Sequence, residues 1–189
     1  WFAEGIAICR RANVQHNVCP RLLGSHAQAL SINGDLAGAA SEATEAVAMQ
    51  RALTGADSPQ VAATLGFLAR IQVRQGHYAE ALRTTDEILA VQERTGGMAK
   101  DALFARFQRA LALFGLGRND EALALAIEVA DAHKTSTPND RSTLFSMLVL
   151  KARCLSRAGR HDEARAAAAE ALAIESTATG VTAETSAGL

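Results

Sequence analysis

The sequence predicts an all-α fold, a solenoid of antiparallel helix pairs. Three observations carry this expectation: an alanine-rich and proline-poor composition, a glycine returning about every 42 residues, and alanines at fixed distances on either side of it. Of 189 residues, 41 are alanine, 14 glycine and three proline. Alanine is the strongest helix former, and glycine and proline are the usual breaks, so the composition describes long helices with sparse interruptions. Nineteen Lys+Arg against twenty Asp+Glu leave a formal charge of -1. As a total, that balance argues against nucleic acid or an anionic membrane as partner.

The glycines of the repeat are Gly34, Gly76, Gly117 and Gly159, separated by 42, 41 and 42 residues. Seven residues before them stand Ala27, Ala69, Ala110 and Ala152. Five residues after them stand Ala39, Ala81, Ala122 and Ala164. At an alanine frequency of about one in five, eight matches in eight positions is far beyond chance, and a regular array demands such fixed small positions. Each glycine fits a left-handed helix cap joining two antiparallel helices, A then B. The alanines mark where the two backbones approach closely.

Taken in order, residues 2–17 read as a B helix: Phe2-Ala3-Glu4-Gly5-Ile6 matches Tyr78-Ala79-Glu80-Ala81-Leu82. The A helices then run over roughly 20–33, 60–75, 100–116 and 141–158, and the B helices over 35–52, 77–94, 118–134 and 160–176. Pro20, Pro59 and Pro138 fall in B-to-A connections, where proline can begin a helix without losing a hydrogen bond. Gly96-Gly97 replaces proline before the third unit. The expected organisation is an array over 1–176: a partial unit at 2–17 and units at about 20–52, 59–94, 100–134 and 139–176. Residues 177–189 form a tail or the start of a further repeat. Without a polar capping helix at either end, more protein is expected on both sides, as flanking domains of the same chain.

Gln75-Gly76-His77-Tyr78-Ala79-Glu80-Ala81-Leu82 and its counterparts at 116–123 and 158–165 resemble the turn of the tetratricopeptide repeat family. The usual period of that family is 34 residues. The longer period here is similar to the branch found in kinesin light chains and in bacterial peptide-sensing and transcriptional regulators, as is the run Asp57-Ser58-Pro59-Gln60-Val61. The resemblance implies a right-handed superhelix with A helices lining a concave groove and B helices outside. For function it implies a binding scaffold and no more.

Cys9, Cys19 and Cys154 are odd in number and few for a disulfide framework, so they read as thiols in a reducing compartment. The longest uncharged apolar run, Leu144 to Leu150, is far short of a bilayer span, and no signal pattern opens the chain. A soluble, cytoplasmic protein with no membrane partner is the expectation. Phosphate loops, nucleophile elbows and His-Glu-x-x-His motifs do not occur, so neither catalysis nor a cofactor is expected. Cys9, His16, Cys19 and His26 cluster near the N-terminus. Cys9 falls where a small core residue belongs, and metal binding is not expected there.

Charge is sorted by helix. The A helices with their connections carry ten basic residues against two acidic, a balance of +8, and the B helices seven against fifteen, or -8. Measured from the fixed alanine, the residues one and five positions on lie about 100° and 140° around the helix, the flank that the resemblance turns to the groove. These are Arg70 and Arg74 in the second unit and Arg153 and Arg157 in the fourth. The third unit has Phe104, Phe107, Leu111 and Phe114 there instead. Arg109 and Lys151 fall on the opposite flank. The same residues admit a packing reading: arginines paired with B-helix carboxylates such as Glu80, Asp86 and Glu87, and phenylalanines filling the space between A helices.

The leading functional expectation is a protein-interaction scaffold whose basic groove holds a peptide with acidic residues around an apolar anchor. Arg70, Arg74, Arg153 and Arg157 would grip carboxylates, and Phe104, Phe107, Leu111 and Phe114 would take the anchor. The alternative is a peptide-sensing regulatory domain of a larger bacterial signalling or transcriptional protein. RNA binding ranks third, because no repeated polar pair recurs at matched positions.

Overall fold

A computed structural model describes residues 2–11, 18–96, 99–136 and 140–186. Among them the chain is all-helical, with nine helices and no strand. They are α1 (Phe2–Arg11), α2 (Val18–Ile32), α3 (Leu36–Thr54), α4 (Pro59–Gln75), α5 (Tyr78–Thr95), α6 (Ala99–Gly115), α7 (Asn119–Ser136), α8 (Arg141–Arg157) and α9 (His161–Ser186). Two compact units result, Trp1–Leu116 and Gly117–Leu189. In the first, consecutive helices from α1 to α4 and from α4 to α6 pack on each other, and the A helices α2, α4 and α6 also pack side by side. In the second, α8 packs on both α7 and α9.

Local chemistry sets the helix ends. Ser58 Oγ accepts the Val61 amide at 3.2 Å with Pro59 in the first turn of α4, and Asp35 and Asp140 cap α3 and α8 through the amides of Gly38 and Thr143. At the other end of α4, Gly76 is left-handed, with φ 78°. Its amide bonds to Val73 O and the His77 amide to Gln72 O, the double bond pattern that closes a helix on glycine. The same pattern recurs around Gly34 and Gly159. Pro138 and Gly97 lie outside the described residues.

The fixed alanines are contact points. Ala27 on α2 and Ala39 on α3 have zero exposure and share one core cluster with Ala43 and Ile71. Ala69, Ala81, Ala110 and Ala122 are likewise fully enclosed, Ala164 is buried and Ala152 half-buried. Three glycines extend the principle by admitting large side chains. A Cβ on Gly5 would meet Leu22 at 2.8 Å, on Gly24 would meet Phe67 at 2.6 Å, and on Gly115 would meet Tyr78 at 2.4 Å. Small residues on one helix thus receive the bulk of another.

The cysteines correct the sequence reading. Cys9 and Cys19 form a disulfide, with Cα atoms 5.7 Å apart, and only Cys154 is free. An odd count does not exclude one bridge: Cys9 near the end of α1 meets Cys19 at the start of α2, within bonding range. The count therefore no longer argues for a reducing compartment. Both sulfurs of the N-terminal cysteine–histidine cluster are used by the bridge, His26 Nδ1 lies 2.6 Å from Glu42 Oε2, and His16 lies outside the described residues. Burial pushes the Cys154 thiol up to about 11, so it stays protonated at neutral pH. No described helix is long and apolar enough to cross a membrane.

Three devices hold α1: the disulfide, a forked pair from Arg10 to Glu45 on α3 (2.9 and 2.5 Å), and the small cluster of Ile6, Leu23 and Ala46. Closing a loop this short contributes about 2–3 kcal/mol through the unfolded chain. Because repeat arrays couple neighbour to neighbour, reduction should act locally. Hydrogen exchange after reduction is expected to accelerate in α1 and leave the α4–α5 core protected. Unchanged protection of α1 would show that the bridge is dispensable for its docking.

Candidate binding cleft

The first unit contains a cleft of about 440 Å³ across its three A helices. From α2 come Arg21, Ser25 and Gln28, at spacings of four and three residues that put them on one helical face. From α4 come Gln60, Ala63, Thr64, Phe67 and Arg70 by the same rule, and from α6 Asp101 and Phe104, one turn apart. Gly24 lets the Phe67 ring lie against α2, and Phe104 rests beside Gly66 of α4. At Gly24 the A layer thus admits an aromatic ring without its helices being pushed apart.

Arg70 is the central charge. Its guanidinium carbon stands 5.8 Å from the centroid of the Phe104 ring, a cation–π stack that orients the fork. Burial, and then the neighbouring charge of Arg74, lower its pKa from the ordinary arginine value. It remains protonated at neutral pH, as arginines do in proteins. No described carboxylate pairs with it, nor with Arg21.

The acidic residues of the B helices explain why. In the first unit they are taken largely by basic residues of the same layer. Arg10 on α1 pairs with Glu45 on α3, and Arg51 on α3 pairs with Glu87 on α5, each partner about one repeat further along. Arg94 pairs with Asp57 in the α3–α4 connection. From the A layer, Arg109 crosses over to Asp86 on α5, and His26 on α2 to Glu42 on α3. In the second unit Lys134 joins α7 to Glu170 on α9 at 2.6 Å, and Lys151 on α8 approaches Asp131 on α7 at 4.0 Å. The packing reading thus accounts for Arg109 and Lys151, and does not account for Arg21 or Arg70.

The residues expected to act together separate. Arg74, one turn beyond Arg70, is exposed and donates to Ser31 Oγ on α2 at 2.8 Å. Phe104 lines the cleft, Leu111 is half-buried, and Phe107 and Phe114 are enclosed in the core, each 6% exposed. Helical geometry explains the split: relative to Phe104, Leu111 is rotated by about 20°, but Phe107 and Phe114 by about 60° and 80°. The stripe is wide enough for one edge to face the cleft and the other the core. Arg153 and Arg157 belong to the second unit and are exposed on α8. Arg157 donates to Asn119 Oδ1 at 3.3 Å, and Arg153 lines a shallow hollow between α8 and α9 with Ser156 and His161.

Sequence reasoning did not single out Arg21, Asp101, Phe67 or the glutamines Gln28, Gln50 and Gln60. Except for Gln50, which reaches the cleft from the B helix α3, their signal is shared membership of one helical face on successive A helices. Unpaired charge within that face can only be recognised once the cross-helix partners are known.

Two models of the tetratricopeptide repeat match this chain, one over residues 19–94 and the other over 103–126 and 148–173. The chain belongs to the tetratricopeptide repeat family. Among solved structures, a kinesin light chain-like protein with nearly identical tetratricopeptide-like repeats from Podosopora anserina, described as putative, is 20% identical. The match has a TM-score of 0.68 and covers 94% of this chain and 85% of that one. BtubC (BKLC) from P. vanneervenii is 16% identical with a TM-score of 0.74, over 95% of this chain and 72% of that one. A tetratricopeptide-like protein from Chlorobium tepidum is 25% identical with a TM-score of 0.59, over 72% and 94%. Comparison with curated proteins returns no significant match. Tetratricopeptide repeats generally mediate protein–protein interaction, and the family is typically a non-enzymatic scaffold.

Proposed function

We propose that this tetratricopeptide array is an interaction module that holds an extended, acidic protein segment in the cleft of α2, α4 and α6. The observation that carries the reading is Arg70: partly desolvated, stacked on Phe104 and without a carboxylate partner among the described residues. Arginine presents donors in a fixed fork that matches a carboxylate, and stacking spares part of the ordering cost of forming that pair. Arg21, on α2, supplies a second cation with no ion-pair partner among the described residues. The ring of Phe67 and the exposed edge of Phe104 offer apolar surface for a side chain flanking the acidic one.

Fluorescence anisotropy with labelled peptides, matched in length and bearing either glutamate or lysine beside a leucine, tests this. The glutamate peptide is expected to bind, more weakly as salt rises, and Arg70→Glu to weaken it at least about tenfold. Equal binding of both peptides, or indifference to Arg70→Glu in a folded variant, would overturn the proposal.

A further inference from the structure

The cleft is not uniformly basic. Asp101 lines it together with Arg21 and Arg70, yet forms no ion pair with either, although all three border one cavity. Opposite charges therefore border one cleft without neutralising each other. Asp101 sits in the first turn of α6, one turn before Phe104 on the same face, and Phe104 carries the Arg70 guanidinium on its ring. The cationic and anionic groups are therefore offset along α6 by roughly one helical turn, about 5 Å. Gln28 and Gln60, also lining the cleft, have side-chain amides with no protein partner among the described residues. Each offers a donor and an acceptor, the complement of a peptide backbone.

Resting on the reading above, we infer that Asp101 is a specificity residue which makes the cleft select a mixed-charge strand rather than a purely acidic one. The segment that fits carries a carboxylate facing Arg70 and an ammonium or guanidinium two residues away facing Asp101. An extended chain puts side chains i and i+2 on the same side, about 6.5–7 Å apart, which matches the offset on α6 once side-chain reach is included. Arg21 stands on the neighbouring A helix α2, whose axis by ordinary packing lies about 8–10 Å from that of α4, or roughly three extended residues. A second acidic residue upstream would meet it there. A uniformly acidic segment would bring its next carboxylate against Asp101, and like charges in a partly desolvated cleft oppose binding.

The discriminating experiment titrates the full chain with two labelled peptides identical except for one position, Glu-x-Lys and Glu-x-Glu. Glu-x-Lys is expected to bind about tenfold more tightly. Asp101→Asn should bring the two affinities within about twofold, Asp101→Lys should invert the order, and Asp101→Glu should restore the preference. The rescue by glutamate separates charge selection from a merely structural role at the start of α6. If wild type binds both peptides equally while Arg70→Glu still abolishes binding, the role given to Asp101 is wrong and the acidic-segment reading stands. If neither peptide binds, or Arg70→Glu changes nothing, the underlying reading fails and the inference with it.

Discussion

Ala39→Leu is expected to destabilise the first unit by about 1–3 kcal/mol, and the nearby Ala37→Leu by no more than a few tenths. Ala39 has zero exposure and shares its cluster with Ala27 on the partner helix and with Ala43 and Ile71. Three extra carbons there must displace the neighbours of a residue with zero exposure, and Ala27 on the facing helix has no side chain to swing aside, so the strain falls on Ile71 and on Leu30 and Leu68 packed beside it. The helices must separate, which loosens the Gly34 turn that joins them and the contact of α4 on α3. Ala37, two residues away on the same helix, is exposed, so the same substitution adds leucine without a steric consequence. Urea unfolding followed by the helical signal measures both. A common midpoint for the two variants would mean that the repeated alanines reflect composition and not close approach.

Gly24→Ala is expected to destabilise as well, against the sign that local propensity dictates. In a helix interior alanine is better than glycine by about 1 kcal/mol. Here the new Cβ would stand 2.6 Å from Phe67 Cδ2 and 3.2 Å from Cγ, so the clash reaches the root of the ring and a small swing of its tip does not relieve it. Phe67 lines the cleft, and displacing it moves the wall against which the ligand rests. The net cost is expected at about 1–3 kcal/mol, with a weakened acidic-peptide affinity even where the variant remains folded. A stabilised Gly24→Ala variant with unchanged affinity would show that the ring is not held by α2.

The contrast between these residues shows what could be read from the sequence. Helix ends were legible because their causes are local: Gly76 bends the chain left-handed, Ser58 caps the amide of Val61, and Pro59 stands in the first turn. From α2 to α8 the ends fall within two residues of expectation. The paired alanines were legible because repetition marks them four times. The cleft was only partly so. Counting angles from Ala69 found Arg70, and the phenylalanine stripe included Phe104, but their stacking joins α4 to α6 and leaves no local trace. Angle counting could not separate Phe104 from Phe107 and Phe114, since one stripe spans an open edge and a buried one. It could not foresee that Ser31, more than forty residues away, would engage Arg74. The reason for Gly24 is equally non-local: the Phe67 ring that occupies its missing Cβ comes from another helix. The Cys9–Cys19 bridge leaves no signal in the cysteine count, because an odd total fixes only that at least one thiol, here Cys154, stays free.

The central claim is that the Arg70 guanidinium is the group that meets a carboxylate of the bound segment. Arginine side-chain NMR tests it most directly, with the Arg70 Nε–H resonance assigned by its loss in Arg70→Lys and followed as a glutamate-bearing peptide is added. The account predicts that this resonance shifts progressively to saturation with the peptide, while that of Arg51, paired with Glu87 in the other layer, stays in place. A peptide that binds while Arg70 remains unmoved, with the changes falling on α3 and α5, would contradict it.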